Sequence, residues 1–298
     1  MLEMPEKEIS KRAAVGLTLI SSLLLGSSYV AIKSGLGDLD PFLFSAFVFT
    51  IGALVALIFT LARGTFTWRI FGMWEAWTAP LITVVLLALQ YQGLSMTNAS
   101  TGALIIGANV ILVAPLSALL FRERLGKVRL LGLAIGLGGL FVLTTKLNME
   151  GMIGGQLIGD LMLLGTTICI ALTYVLSKYA LKRMKFDQFV LTLHLFTPLP
   201  LFALYLLFGH SSPISGGDAL ILVYVGVLCT SVPTLLWVGA LRSISIVTSS
   251  TIILSESAFA VLLSILILHE PMDVFIVLGA ALVFTAIYLV TIGEKKSE

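Results

Sequence analysis

The chain has 298 residues, 58% of them hydrophobic and 11% charged, with a mean hydropathy of +1.07. A soluble domain carries about 25% charged residues, so this composition excludes an ordinary water-soluble fold. The net charge of +2 offers no basic field for a nucleic-acid partner. The two cysteines, Cys169 and Cys229, lie inside apolar runs, which reads as packing and not as a disulfide framework.

A helix needs roughly 20 apolar residues to cross the hydrocarbon core. Runs of that kind fall at 13–34, 41–62, 76–96, 99–121, 128–146, 157–180, 188–209, 219–241, 246–268 and 274–292, which predicts an all-α membrane protein of ten transmembrane helices. Span one follows Lys11 and Arg12 with no small-residue cleavage site after it, so it reads as a retained helix. It carries Tyr29, and Lys33 near its end. Span two is apolar through Phe47-Val48-Phe49. Span three holds the polar cluster Gln90, Tyr91 and Gln92, and span four holds Asn109 and Pro115. Gly132, Gly136 and Gly139 give span five a surface for close helix packing. Tyr174 and Lys178 lie in span six, and His194, Pro198 and Pro200 in span seven. Ser231, Pro233 and Thr234 interrupt span eight, where the proline removes a helical hydrogen bond and favours a kink; Trp237 follows. Span nine carries Glu256 near its middle.

With ten spans, both termini lie on one side. That side collects Lys7, Lys11 and Arg12, then Arg63, Arg69, the basic cluster from Arg122 to Arg129, Lys182, Arg183, Lys185, Arg242, Lys295 and Lys296. Cytoplasmic loops retain Lys and Arg, so both termini are expected in the cytoplasm, with the chain in the cell (inner or plasma) membrane.

The second half echoes the first. Phe121-Arg122-Glu123 and Leu268-His269-Glu270 close spans four and nine, at 270 − 123 = 147. The same offset relates Leu131-Gly132 to Leu278-Gly279, and Gly93-Leu94 to Ala240-Leu241. Ser28-Tyr29-Val30 and Lys33 match Thr173-Tyr174-Val175 and Lys178 at 178 − 33 = 145. The expected units are therefore residues 1–146 and 147–298, each a five-helix repeat. Five is odd, so the second repeat enters the membrane inverted. Two inverted five-helix repeats around a central cavity suit alternating access, with the substrate site between the halves near the midplane.

Ionisable groups deep in a span are costly and mark functional sites. Glu256 is the foremost candidate, either binding a substrate amine or carrying a proton; the alternative is a packing anchor. Its repeat partner, at 256 − 147 = 109, is Asn109. Both are expected to line the cavity, though interhelical amide bonds are also common glue. Lys33 and Lys178 are candidate gates or coupling groups, or else snorkel to the headgroups. Gln90 and Tyr91 must face protein or water. Trp237 suits stacking on a cationic or aromatic substrate, or an interfacial position. Tyr29 and Tyr174 recur and are candidates to flank the cavity. His194 reads as structural, as do Glu123 and Glu270 at helix ends. No metal-binding, nucleotide-binding or catalytic motif is present, so neither a cofactor nor an enzymatic activity is expected. Ten helices suffice to enclose a cavity within a monomer.

These landmarks resemble the drug/metabolite transporter superfamily, in its ten-helix EamA-type branch. Gly26-Ser-Ser-Tyr-Val-Ala-Ile-Lys33 is similar to that family's opening helix, Leu94-Ser-Met-Thr-Asn-Ala-Ser-Thr-Gly-Ala-Leu104 to its turn from span three to span four, and Leu254-Ser-Glu-Ser-Ala-Phe-Ala260 to its ninth helix. The chain departs from the family at Phe47-Val48-Phe49, where an arginine is frequent, and at Ser257, where a proline is frequent. The resemblance implies a secondary transporter, foremost an exporter of amino acids or related metabolites and alternatively a multidrug or organic-cation exporter. Small four-helix relatives use a glutamate in their first helix, and span one here has none.

Overall fold

A computed structural model describes residues 9–36, 39–109, 111–113, 116, 126–145, 155–210, 214–244, 246–253, 255–270 and 272–295. Among these residues there is no β-strand. Pro115, Glu123, its neighbours Arg122 and Arg124, and Lys146 lie outside the described residues. Six stretches are each long and apolar enough to cross a membrane: Lys11–Gly35, Pro41–Ala62, Glu75–Met96, Gln156–Ala180, Phe186–Phe208 and Gly216–Ala240. They are spans one, two, three, six, seven and eight. Shorter apolar helices, Thr101–Val113, Leu130–Gly139, Ser255–Leu268 and Val274–Ala286, fall in spans four, five, nine and ten. The fold is an all-α membrane bundle of ten helices in two inverted five-helix repeats around a central cavity. Outward faces are apolar, with Leu206 81% and Leu220 75% exposed. In water such a surface drives association; in a bilayer it meets lipid.

Local chemistry sets the helix ends. Ser10 caps span one by accepting from the Ala13 amide. Asp40 caps span two through the Phe42 and Leu43 amides, with Pro41 at the first position, where its missing N–H costs nothing. Ser215 and Asp218 form a reciprocal cap at the start of span eight. Span seven runs as Phe186–Phe196 and Pro198–Phe208, divided at the expected prolines. Span eight carries a π-helical turn, Val225–Ser231, directly before Pro233. The widened turn and the proline both interrupt regular hydrogen bonding, so the break expected there is real and has two causes.

The packing obeys the repeat. Span three lies along span six, and span eight along span one; four meets six as nine meets one; three meets seven as eight meets two. Spans two and seven, four and nine, and five and ten pair with their own equivalents. An inverted two-fold demands this pattern. Small residues permit the closest crossings. A Cβ on Gly93 would stand 2.8 Å from the Gly159 carbonyl oxygen, and one on Gly159 2.8 Å from that of Gly93. At the equivalent crossing of spans eight and one stand Ala240 and Ala14, both fully buried. Gly136 and Gly139 in span five close on Ala286 and Leu282 of span ten, in keeping with their expected role.

Two polar pairs, not anticipated from sequence, tie span two to span seven at opposite ends. His210 Nδ1 lies 3.0 Å from Asp40 Oδ2, and Arg63 Nε lies 3.7 Å from Asp187 Oδ2. They are repeat equivalents, since 187 − 40 = 147 and 210 − 63 = 147. The buried Asp187 carboxylate also accepts from the Thr65 hydroxyl. Asp187→Ala is expected to cost about 1.5–3 kcal/mol, the range for losing charged hydrogen bonds, and to lower the melting temperature of purified protein. An unchanged melting temperature would mean that these contacts add nothing.

Candidate functional site

Between the repeats lies a cavity of about 200 Å³, lined, among the described residues, from every span except five and ten. Seven residues singled out from sequence share its wall: Tyr29, Gln90, Tyr91, Asn109, Tyr174, Trp237 and Glu256. Lining residues also pair through the repeat: Ser28 with Thr173 at an offset of 145, and Thr83 with Thr230, Ile106 with Ile253 and Asn109 with Glu256 at 147.

Glu256 sits in the first turn of Ser255–Leu268. The backbone there is held from two sides. Ser22 Oγ of span one meets Ser255 Oγ at 2.5 Å, and Ser257 Oγ donates to the Ala103 carbonyl of span four at 2.8 Å. Gly26 brings span one within close range of the Glu256 carbonyl. The Glu256 carboxylate is near enough to the Tyr29 and Tyr174 hydroxyls to interact electrostatically with both. The two repeat-equivalent tyrosines therefore lie beside the one acidic side chain of the wall among the described residues.

Trp237 projects from span eight into the cavity. Its Nε1 donates to Ser249 Oγ at 3.0 Å, and its ring lies edge-on to Tyr174 with centroids 4.7 Å apart. With the indole N–H engaged, the ring face is what remains for a ligand. Cys229, Thr230, Pro233 and Thr234 line the cavity from the same span, and the distorted turn positions them. Thr234 Oγ1 takes up the Thr230 carbonyl at 2.6 Å. On the other side, Asn109 Nδ2 donates to the Ile106 carbonyl at 2.8 Å while its Oδ1 has no partner.

Lys33 and Lys178 are not on the cavity wall. Lys33 Nζ donates to the Leu94 and Thr97 carbonyls at 2.9 and 2.5 Å. Lys178 Nζ donates to the Leu241 and Ile244 carbonyls at 2.6 and 3.3 Å. Each lysine thus closes the last turn of its own repeat's third helix, where carbonyls lack helical partners and the dipole favours a cation. These acceptors again match at 241 − 94 = 147 and 244 − 97 = 147. Replacing Lys33 with Met is expected to lower thermal stability by about 1–2 kcal/mol and to leave apparent substrate affinity unchanged. A shift in affinity at wild-type stability would support a gating role instead.

His194 is buried behind the wall, edge-on to the lining ring of Phe49 with centroids 5.2 Å apart. Glu270 Oε1 accepts from the Ala99 amide at 2.7 Å, a cap on the start of span four. Gln92 is half-buried off the wall. Phe49, Thr83 and Thr230 line the cavity and escaped the sequence reading. Applying the repeat offset to hydroxyl residues as well as to charged ones would have found the Thr83 and Thr230 pair.

A model of the EamA-like transporter family matches the chain twice, at residues 12–145 and 157–292. An uncharacterised transporter of Clostridium kluyveri is 25% identical, over 88% of this chain and 86% of that protein. Another from Archaeoglobus fulgidus is 21% identical over 94% and 98%. A WAT1-related chloroplastic protein of Arabidopsis thaliana is 26% identical over 90% of this chain and 67% of its own length. A solved crystal structure of 20% identity superposes with a TM-score of 0.74, covering 97% of this chain and all of that one, so the fold is shared. With both halves matched by the family model and full-length transporters among its relatives, the chain belongs to the EamA-like transporter family of the drug/metabolite transporter superfamily.

Proposed function

We propose that this protein is a secondary transporter that exports amine-bearing small metabolites, amino acids and related compounds, by alternating access. Its substrate site is the cavity between the repeats 1–146 and 147–298, and the protein works as a monomer in the cell membrane with both termini in the cytoplasm. The observation that carries this reading is the single carboxylate of the wall among the described residues, Glu256, which shares that wall with Tyr29, Tyr174 and Trp237. A carboxylate in a low-dielectric cavity needs a counter-charge or a proton. An amine and a proton are alternative occupants of the same group. If each displaces the other, an inward proton gradient drives amine outward. The inverted repeat supplies two access states of similar energy.

One observation favours the second reading, an organic-cation exporter. No lysine or arginine lines the cavity among the described residues, so the wall has no formal positive charge to meet a carboxylate.

The test is uptake of labelled amines and amino acids into proteoliposomes under an imposed pH gradient. The expected result is saturable uptake toward the acidic compartment that collapses when the gradient is removed. Flux rising linearly with concentration would point to a channel, and no flux of either class would overturn the proposal.

A further inference from the structure

The connection from span two to span three and its repeat counterpart, from span seven to span eight, differ in kind. Residues 64–77 hold five aromatic side chains and Arg69; the equivalent residues 211–224 hold Tyr224 alone and no lysine or arginine. Three of the four tryptophans fall in this stretch. Trp68, Trp74 and Trp77 are 77%, 50% and 51% exposed. The stretch is nevertheless firmly folded. Thr67 caps the short turn Trp68–Gly72, Ile70 is buried, and the Gln188 side-chain amide donates to the Thr65 carbonyl at 2.6 Å. Trp77 Nε1 donates to the Phe71 carbonyl at 2.9 Å. Trp68 lies against Phe66 and Phe71. Phe71 and Trp77 both pack on Phe196 of span seven, with centroids 5.6 and 4.1 Å away. Arg63, just before the stretch, meets Asp187. Phe196 stands 196 − 187 = 9 residues further along that helix, roughly 13 Å at the helical rise. The chain therefore doubles back along a flank of span seven that also exposes Leu195 and Leu199.

Exposed indoles on a rigid block suit the boundary between headgroups and acyl chains. The charge beside them is one-sided. Glu75 and Asp187 are buried and paired with Arg183 and Arg63, whereas Arg69 is exposed and makes no ion pair among the described residues. We infer that residues 64–77 form a lipid-binding site on the membrane face that holds both termini, seating an anionic phospholipid with its phosphate at Arg69 and an acyl chain along the rings of Trp68, Phe71, Trp77 and Phe196. A guanidinium takes two phosphate oxygens in a fork. Phosphatidylcholine offers the same phosphate, but its choline cation offsets the attraction. The opposite membrane face has Ser215 in the place of Trp68 and Gly216 in the place of Arg69, so the site belongs to one leaflet.

The test is tryptophan fluorescence of the full chain in phosphatidylcholine vesicles that carry brominated lipid, which quenches only the indoles it touches. Trp237, 9% exposed and on the cavity wall, supplies the unquenched background. At equal fractions, brominated phosphatidylglycerol is expected to outcompete brominated phosphatidylcholine by about fivefold in relative binding constant, the preference that one arginine near an anionic surface supplies. Arg69→Gln is expected to abolish this preference while leaving the quenching by phosphatidylcholine unchanged. Trp68→Phe is expected to remove part of the quenching by both lipids. Equal binding of the two lipids by the wild-type protein, or a preference that Arg69→Gln retains, would overturn the inference. So would emission that aqueous iodide quenches and neither lipid does, since the stretch would then face water.

Discussion

Glu256→Gln is expected to abolish proton-driven transport and to weaken amine binding by about 10- to 100-fold. Hydrogen bonds to a charged partner contribute about 1.5–3 kcal/mol, and each 1.4 kcal/mol is a factor of ten. Glutamine keeps the size of the side chain, so the packing of span nine on span one through Ser22 and Ser255 survives. What disappears is the group on which proton and amine are proposed to exchange. Flux measured with and without a pH gradient separates two contributions. The variant should show residual, gradient-independent exchange at high substrate concentration. Wild-type affinity together with wild-type pH dependence in this variant would make Glu256 a packing anchor.

Gly26→Leu is expected to have the other large effect, on folding and activity together. A Cβ at Gly26 would stand 2.8 Å both from the Glu256 carbonyl oxygen and from Phe259 Cβ, closer than non-bonded carbon atoms approach. Even alanine forces spans one and nine apart. Leucine adds further volume, and overpacking of this kind costs about 1–3 kcal/mol or more. The displacement separates Tyr29 from Glu256, because they ride on the two helices being pushed apart. Melting curves in detergent should fall, and the transport remaining in surviving protein should fall further. A control in open space is Gly16, which has nothing within 4 Å of a built Cβ; Gly16→Leu should leave both properties near wild type.

The bundle was legible because membrane helices announce themselves by length and apolarity, and the repeat because charged and glycine landmarks recur at a fixed offset. Of the seven wall residues, Glu256, Asn109, Gln90 and Tyr91 followed from the premise that polar groups far from helix ends must face something other than lipid, Tyr29 and Tyr174 from their recurrence in both repeats, and Trp237 from its suitability for stacking. Lys33 and Lys178, read from sequence as candidate gates or else as snorkelling side chains, stand off the wall. Their charge is satisfied locally by carbonyls of the third helix in each repeat, and an acceptor supplied by backbone leaves no trace in side-chain identity. Asp40 and Asp187 were overlooked for a related reason. At span ends an aspartate is unremarkable as a helix cap, and only their partners His210 and Arg63 show them to be one motif used twice. The π-helical turn before Pro233 is likewise a backbone event. Proline predicts a break there but not an added residue in the turn, which depends on the fit of Gly226 against span two.

The proposed transport cycle requires that substrate bind at Glu256. The most direct measurement is carbodiimide labelling of the carboxylates in purified protein, read by peptide mass spectrometry with and without a transported amine. The account predicts that dicyclohexylcarbodiimide modifies Glu256, that saturating amine slows this modification in proportion to its occupancy, and that labelling of surface carboxylates is unaffected. Modification of Glu256 at the same rate with and without a substrate that the protein demonstrably transports would contradict it.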